Sequence, residues 1–327
     1  ELAPHLVKSV SFLYPLKHRF WERIYVGLGI GLYDLFAAGT RNSLPRHRHV
    51  GPKAVQRLSP DIKMVKGCGA IIYSDALTDD SRYTISVART AAGYGSHILT
   101  STQVVDFLKD GDKVVGVKAV CTESGRRIEV RSSCVINATG VWTDDVEQLA
   151  RDKTAETSQK KVRSSKGVHL VVPRDRIKSS TGLVSRTEKS VLFIIPWSDH
   201  WIIGTTDTDW ALDRAHPAAT SNDISYLLQR VNELLENKLD TSDIQGVYAG
   251  LRPLLTGESD DTTKLSREHH VFHPTPGVVS IAGGKYTTYR VMASDAVNAA
   301  VTAVPRWVPP SRTKEIQLVG AENFLKL

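Results

Sequence analysis

Three side chains in this sequence stand where chemistry is easiest to build: a lysine after paired glycines, an arginine in an apolar run, and a histidine in another. Ser280-Ile281-Ala282-Gly283-Gly284-Lys285-Tyr286-Thr287-Thr288 reads as strand, glycine turn and helix start. The glycines allow close backbone approach. A helix start offers unpaired N–H groups and partial positive charge, and Lys285 adds a full charge there. Such a place suits an anion, whether phosphate, carboxylate or a reduced ring oxygen. It is equally the pattern of an ordinary capped helix with a surface lysine. Arg252 sits in Ala249-Gly250-Leu251-Arg252-Pro253-Leu254, a setting that suits a carboxylate pair or bidentate phosphate binding. His169, in Ser165-Lys166-Gly167-Val168-His169-Leu170, is either a satisfied core histidine or a general base near neutral pH. Gly204-Thr205-Thr206-Asp207-Thr208-Asp209 closes a strand with hydroxyls and acids, as a turn or as the lining of a polar site.

Other patterns lead nowhere. Gly27-Leu28-Gly29-Ile30-Gly31 has the wrong third spacing for a dinucleotide fingerprint, and Gly93-Tyr94-Gly95 has Ile98 where the third glycine belongs. His269, His270 and His273 precede Pro274 and Pro276 without a completing carboxylate, so they read as an exposed loop, and His47-Arg48-His49 as a basic loop. No metal site is expected. A G-x-S-x-G elbow is absent, which leaves an α/β-hydrolase unsupported.

The elements that must position these residues follow from periodicity. The first 40 residues, rich in Phe12, Tyr14, Lys17, His18, Arg19, Phe20, Trp21, Arg23, Tyr25, Tyr33 and Phe36, read as helical, packed on the protein or lying on a membrane surface. Residues 41–60 read as loop. Strands are expected at 70–73, 96–100, 113–121, 127–131, 134–138, 168–172, 191–196, 201–206 and 278–282. Asp79 and Asp80 offer an N-cap for a helix with Gly93 at its C′ position. Ser221 or Asn222 caps an amphipathic helix through Ile224, Leu227, Leu228, Val231, Leu234 and Leu235, and a last helix runs from Thr288 to Val304. Strands mixed with helices, and a hairpin set between parallel-looking strands, argue an α/β or mixed α+β fold of two interleaved domains.

Composition sets the bounds. The chain has 327 residues, 41% hydrophobic and 24% charged, an ordinary globular balance that excludes collagen-like, mucin-like and wholly disordered chains. Lys+Arg 42 against Asp+Glu 35 leaves +7, which favours phosphates, anionic lipid or nucleic acid without selecting one. No recognised nucleic-acid motif is present, so nucleic acid is not an expected partner. Cys68, Cys121 and Cys134 are too scattered for a disulfide framework, and a reducing compartment is expected. The opening Glu1-Leu2-Ala3-Pro4-His5 has no signal-peptide character. The apolar run from Ile24 to Gly39 contains Asp34 and falls short of the roughly 20 residues a bilayer span needs.

Val135-Ile136-Asn137-Ala138-Thr139-Gly140-Val141-Trp142 resembles the flavin-dependent glycerol-3-phosphate dehydrogenases, within the D-amino-acid-oxidase-like flavoproteins. The likeness continues through Lys166 to His169, Ile195-Pro196-Trp197, Ile203 to Asp207, Gly250 to Leu254 and Gly283 to Arg290, and earlier through Thr40 to Pro45 and Tyr73-Ser74-Asp75. It implies an FAD-binding Rossmann-like domain (79–150 and 277–305) interleaved with an antiparallel-sheet substrate domain (41–78 and 151–276). Residues 1–40 would form a helical, membrane-facing segment, and 306–327 the start of a C-terminal domain.

By the same resemblance His169 takes the place of the base, Arg252 holds the substrate phosphate, and Lys285 with Thr287 meets substrate and the negative charge of the reduced flavin. FAD is expected at Ala138, Thr139, Gly140, Trp142, Gly283, Gly284, Lys285, Tyr286 and Thr287, with the Val104 backbone near the adenine. The implied reaction takes glycerol 3-phosphate to dihydroxyacetone phosphate and passes electrons to quinone. It implies peripheral attachment to an anionic, cytoplasmic membrane face and leaves a homodimer open. An oxidase using oxygen and an inactive fragment serving as a binding module are the alternatives. The family's G-x-G-x-x-G unit is absent and its C-terminal domain only begins at Leu318-Val319-Gly320-Ala321, so the chain is expected to be a piece of a longer protein that binds FAD poorly alone.

Overall fold

Alternation in Val168-His169-Leu170-Val171-Val172 turns one side of a strand to the core and leaves the other for chemistry. The computed structural model describes residues 2–18, 20–37, 44–150, 161–187, 191–256 and 268–322. The chain opens with β1 (Val7–Pro15), α1 (Trp21–Ala37), β2 (Arg48–Val50), α2 (Pro52–Leu58) and β3 (Ala70–Thr78). Then come α3 (Asp80–Gly93), β4 (Thr102–Asp110), β5 (Lys113–Cys121), β6 (Arg127–Arg131), β7 (Val135–Asn137) and α4 (Thr143–Ala150). The middle holds β8 (Val162–Pro173), β9 (Gly182–Arg186), β10 (Val191–Trp197), β11 (His200–Gly204), β12 (Thr208–Asp209), α5 (Ser221–Leu234) and β13 (Gly246–Leu255). β14 (His269–Thr275), β15 (Val278–Gly283) and α6 (Tyr289–Val301) follow.

The large sheet runs β12-β8-β11-β10-β9-β1-β3-β2, with β13 along the other edge of β8. Its pairings are antiparallel except β1 with β9. Two three-stranded sheets stand beside it: antiparallel β4-β5-β6, and β14-β15-β7, in which β15 and β7 are parallel. The chain enters the large sheet with β1 and β3, leaves for α3 through α4, returns for β8 to β13, and leaves again for β14, β15 and α6. The result is a mixed α/β architecture with several sheets.

On the core side of β8, Val168, Leu170 and Val172 are fully buried, together with Leu13, Ile72, Ile194 and Ile203 of the same sheet. The stripe of α5 (Leu227, Leu228, Val231, Leu234) closes over them. Each such side chain contributes about 1.5–3 kcal/mol by leaving water. The cap of α5 is Thr220, one residue earlier than expected. Asp223 Oδ2 accepts from the Thr220 N–H at 2.8 Å and hydroxyl at 2.7 Å, completing a capping box. The same oxygen pairs with Lys166 Nζ at 2.7 Å, both side chains being 4–5% exposed. Burial pulls the Asp223 carboxyl up, yet Lys166 and Thr220 outweigh it and hold the pKa below the usual range. Removing one partner of a buried pair strands the other charge, so Asp223→Ala is expected to lower stability by about 3–5 kcal/mol. Urea unfolding checks this. Asp223→Leu with Lys166→Met should recover most of the loss.

Several local expectations are corrected. Residues 1–40 are not helical throughout, because β1 pairs with β3 and β9 and buries the adjacent Phe12 and Leu13, one on each face of the sheet. Residues 41–60 contain β2, which pairs with β3, and α2, which has proline at its start. The strand expected at 96–100 begins only at Thr102. Gly93 is the last residue of α3, and the left-handed position is Gly95, at φ +92°. His269, His270 and His273 lie on β14, where alternation against β15 overrides their loop-like composition. His47 is no free loop residue, since Nδ1 meets Asp34 at 2.7 Å. Arg19 and the stretch from Thr40 to Ser43 lie outside the described residues.

Candidate functional site

Antiparallel partners directly opposite one another share a face. Opposite His169 stand Tyr248 on β13 and Gly204 on β11, and one step along Gly167 faces Gly250. Arg252 faces Ser165. The face turned away from the core therefore carries Tyr248, Gly250 and Arg252 on one strand and His169 and Gly167 on its neighbour.

Missing side chains seat both functional groups. A Cβ at Gly204 would fall 2.2 Å from His169 Cδ2, and one at Gly167 would fall 2.5 Å from Arg252 Nη2. The imidazole thus lies over one glycine and the guanidinium over the other. Arg252 is held there by Nη1 donating to the Thr206 carbonyl at 3.3 Å and Nη2 to Thr205 Oγ1 at 3.1 Å. Thr206 Oγ1 in turn accepts from the Val168 N–H at 3.0 Å. The 204–209 segment is therefore site lining, the second of its two sequence readings. Burial, and after it the Arg252 charge, push the His169 pKa down to about 4. At neutral pH the ring is uncharged and keeps one lone pair free to take a proton.

A second group of residues stands next to this face. β7 and β15 run parallel, so Ala138-Thr139-Gly140 and Gly283-Gly284-Lys285 leave them at the same end. Buried Asn137 braces the two strands: Nδ2 donates to the Thr143 carbonyl at 3.1 Å and Ser280 Oγ at 3.4 Å, and Oδ1 accepts from Thr139 Oγ1 at 2.7 Å. Gly283 has φ +75°, and a Cβ there would meet the Glu268 carbonyl at 2.4 Å, so only glycine makes this turn. Both turns abut the strand of Arg252. A Cβ on Gly140 would lie 3.9 Å from Pro253 Cγ, and one on Gly283 would lie 2.9 Å from Leu255 Cγ.

Lys285 and Thr287 are exposed at the head of α6, and Ala138 and Thr139 are exposed at the end of β7. Trp142 is half-exposed in the short turn before α4. Tyr286 turns instead to α3, donating to the Asp80 carbonyl at 3.0 Å. Val104 pairs with Ala119 inside β4, in a different sheet from β7 and β15. The sequence reading passed over Tyr248, and it named Gly167 and Gly204 only within their motifs, not as seats for the side chains over them. The available signal was strand parity, which puts Tyr248 on the face of Arg252 four residues on.

Adjacent parallel strand ends, glycine turns and helix starts form the kind of crevice that takes a dinucleotide. The donor set here fits one: helix-start N–H groups, the exposed Thr139 and the Lys285 cation. A redox cofactor set beside an uncharged imidazole and a guanidinium defines a class, the flavin- or nicotinamide-dependent oxidoreductases. Residues 15–290 match the family model described as FAD dependent oxidoreductase, and the chain belongs to that family.

Its relatives agree. The chain is 55% identical over 326 residues to glycerol-3-phosphate dehydrogenase of Mycobacterium leprae, covering 100% of this chain and 55% of the relative. It is 35% identical to the human mitochondrial glycerol-3-phosphate dehydrogenase, covering 99% of this chain and 45% of the relative. The solved glycerol-3-phosphate dehydrogenase of Bacillus halodurans, complexed with FAD, superposes with a TM-score of 0.79 at 29% identity, covering 97% of this chain and 56% of that one. The chain spans about half the length of the curated relatives it matches.

Proposed function

We propose that the protein oxidises the secondary hydroxyl of sn-glycerol 3-phosphate to the ketone of dihydroxyacetone phosphate, using FAD, and that its electrons pass to a quinone at the cytoplasmic face of a membrane. The observation that carries the reading is the placement of His169 and Arg252 on one sheet face beside the glycine turns of β7 and β15. The dehydrogenase relatives support it.

The bound FAD would supply the hydride acceptor for the substrate carbon. Arg252, oriented by Thr205 and Thr206, binds the phosphate and fixes which hydroxyl reaches the histidine. His169, uncharged at neutral pH, accepts the hydroxyl proton at its free lone pair. Lys285 supplies a fixed positive charge at the turn where the cofactor would be held, and Ala138, Thr139 and Gly140 offer backbone groups to its dinucleotide part. The test is an oxygen-free assay of the protein at its full encoded length with a soluble quinone analogue. Formation of one dihydroxyacetone phosphate per quinone reduced supports the reading. A flavin-loaded protein that turns over no glycerol 3-phosphate contradicts it, and oxygen uptake without quinone reassigns the acceptor.

The membrane part of the proposal rests on α1. Its inner side packs Val26 and Ile30 on Leu16, Cys68 and Ile71. Its outer side presents Trp21, Ile24, Leu28, Leu32, Leu35 and Phe36, each 53–77% exposed. Among the described residues no helix is long and apolar enough to cross a membrane. A helix of 17 residues, about 25 Å long, with an apolar outer face lies in the plane of an interface. Flotation with anionic liposomes should carry the wild type upward, while Leu28→Glu with Leu32→Glu should stay below with dye-linked turnover intact. A wild type that does not float removes the attachment.

A further inference from the structure

A histidine base is ordinarily oriented by a hydrogen bond to its second ring nitrogen. His169 has no such tether: Nδ1 is buried and makes no hydrogen bond among the described residues. Something else must fix the ring. The row across the sheet at this point reads Tyr248, His169, Gly204. The Tyr248 ring stacks on the imidazole with centroids 4.9 Å apart and planes at 13°. On the other side the imidazole lies so close over Gly204 that a Cβ there would overlap it. The next row holds Gly250 and Gly167: a Cβ on Gly250 would meet nothing within 4 Å, and the space over Gly167 is taken by the Arg252 guanidinium, so that row offers the ring a charge and no stacking partner.

We propose that Tyr248 is a positioning residue for the reaction, clamping the His169 imidazole against Gly204 and keeping water from it. The inference rests on the reading of His169 as the base. The stack does the positioning, and the Tyr248 hydroxyl is not required. Tyr248 is 47% exposed, so one side of its ring faces the open side of the sheet. The charged and titratable groups around the imidazole are few. Arg252, on the strand of Tyr248, acts on the imidazole itself and lowers its pKa behind burial. Gly204 on β11 brings no side chain. Asp80, at the start of α3, acts on the Tyr248 hydroxyl, whose pKa burial and then that charge raise.

The test uses the flavin-loaded protein at its full encoded length, with glycerol 3-phosphate as substrate. Tyr248→Phe keeps the stack and should match the wild type. Tyr248→Leu removes it and should lower kcat by about 10- to 100-fold, the scale of a misplaced reacting group, with little change in KM. Water then reaches the ring, so the acid limb of kcat/KM should move upward toward the ordinary histidine value near 6.5. The imidazole proton resonance of His169, identified by its loss in His169→Gln, should titrate higher in Tyr248→Leu by the same amount, independently of turnover. Should Tyr248→Leu lose flavin, Gly204→Ala presses on the ring from the opposite side and should lower kcat likewise.

An unimpaired Tyr248→Leu or Gly204→Ala overturns the clamp. So does a Tyr248→Phe as slow as Tyr248→Leu, which makes the hydroxyl the working group. A wild type whose flavin glycerol 3-phosphate fails to reduce contradicts the proposed function itself, and the clamp falls with it. A wild type that reduces normally beside an unaffected Tyr248→Leu contradicts the clamp alone.

Discussion

Arg252→Ala is expected to lower kcat/KM for glycerol 3-phosphate by about 30-fold to several thousand-fold, the equivalent of about 2–5 kcal/mol for truncating one side of a desolvated charge contact. The loss should appear mainly in KM. Turnover of unphosphorylated glycerol, measured in the same assay, should change by no more than about threefold, because glycerol never used the guanidinium's charge. The reason is the seat. Nη1 and Nη2 are aimed by the Thr206 carbonyl and Thr205 Oγ1, and the guanidinium lies flat where Gly167 has no side chain. Arg252→Lys keeps a charge but loses the planar fork, so its effect should fall between wild type and alanine. Equal losses on glycerol and glycerol 3-phosphate would remove the phosphate role.

His169→Ala should lower kcat by about 10²- to 10⁴-fold, the usual range for a lost general base, with flavin absorbance retained. The pH profile carries a second expectation. Burial and then Arg252 lower the His169 pKa to about 4, so the rate should stay flat through the range where an ordinary histidine titrates and fall only as pH drops toward 4. The same shift acts on stability. In the unfolded chain this histidine binds its proton near 6.5, in the folded chain only near 4. Its contribution is therefore fully present above about 6.5 and is lost as pH falls through the window down to about 4, where the unfolded state holds more protons. A His169→Ala variant with wild-type turnover, or an acid limb near 6.5 in the wild type, would count against the assignment.

Much of the site was legible because it is written in strand chemistry. Gly283-Gly284-Lys285 announces a turn before a helix, and Val135-Ile136-Asn137 a short strand before Ala138-Thr139-Gly140; the structure sets them side by side because β7 and β15 are parallel. His169 was open between core residue and base; parity puts Val168 and Leu170 in the core and His169 on the opposite face. What stayed hidden depends on pairing across long stretches of chain. Residues 7–15 look like aromatic-basic helix until β3, from residue 70 onward, pairs with them in register. Tyr248 gives no sign beside Arg252 until the strand is known, since four residues along a strand return to the same face whereas local composition says nothing of partners. Gly167 and Gly204 stand in motifs the sequence singles out, but their role as seats shows only once the side chains lying over them are seen.

The most direct test of the central claim is the visible spectrum of the purified, flavin-loaded protein before and after glycerol 3-phosphate is added without oxygen. The account predicts that the flavin bands bleach in the wild type at saturating substrate and bleach far more slowly in His169→Ala. Flavin bands that persist unchanged in the wild type would contradict glycerol 3-phosphate as the substrate and His169 with Arg252 as the groups that act on it.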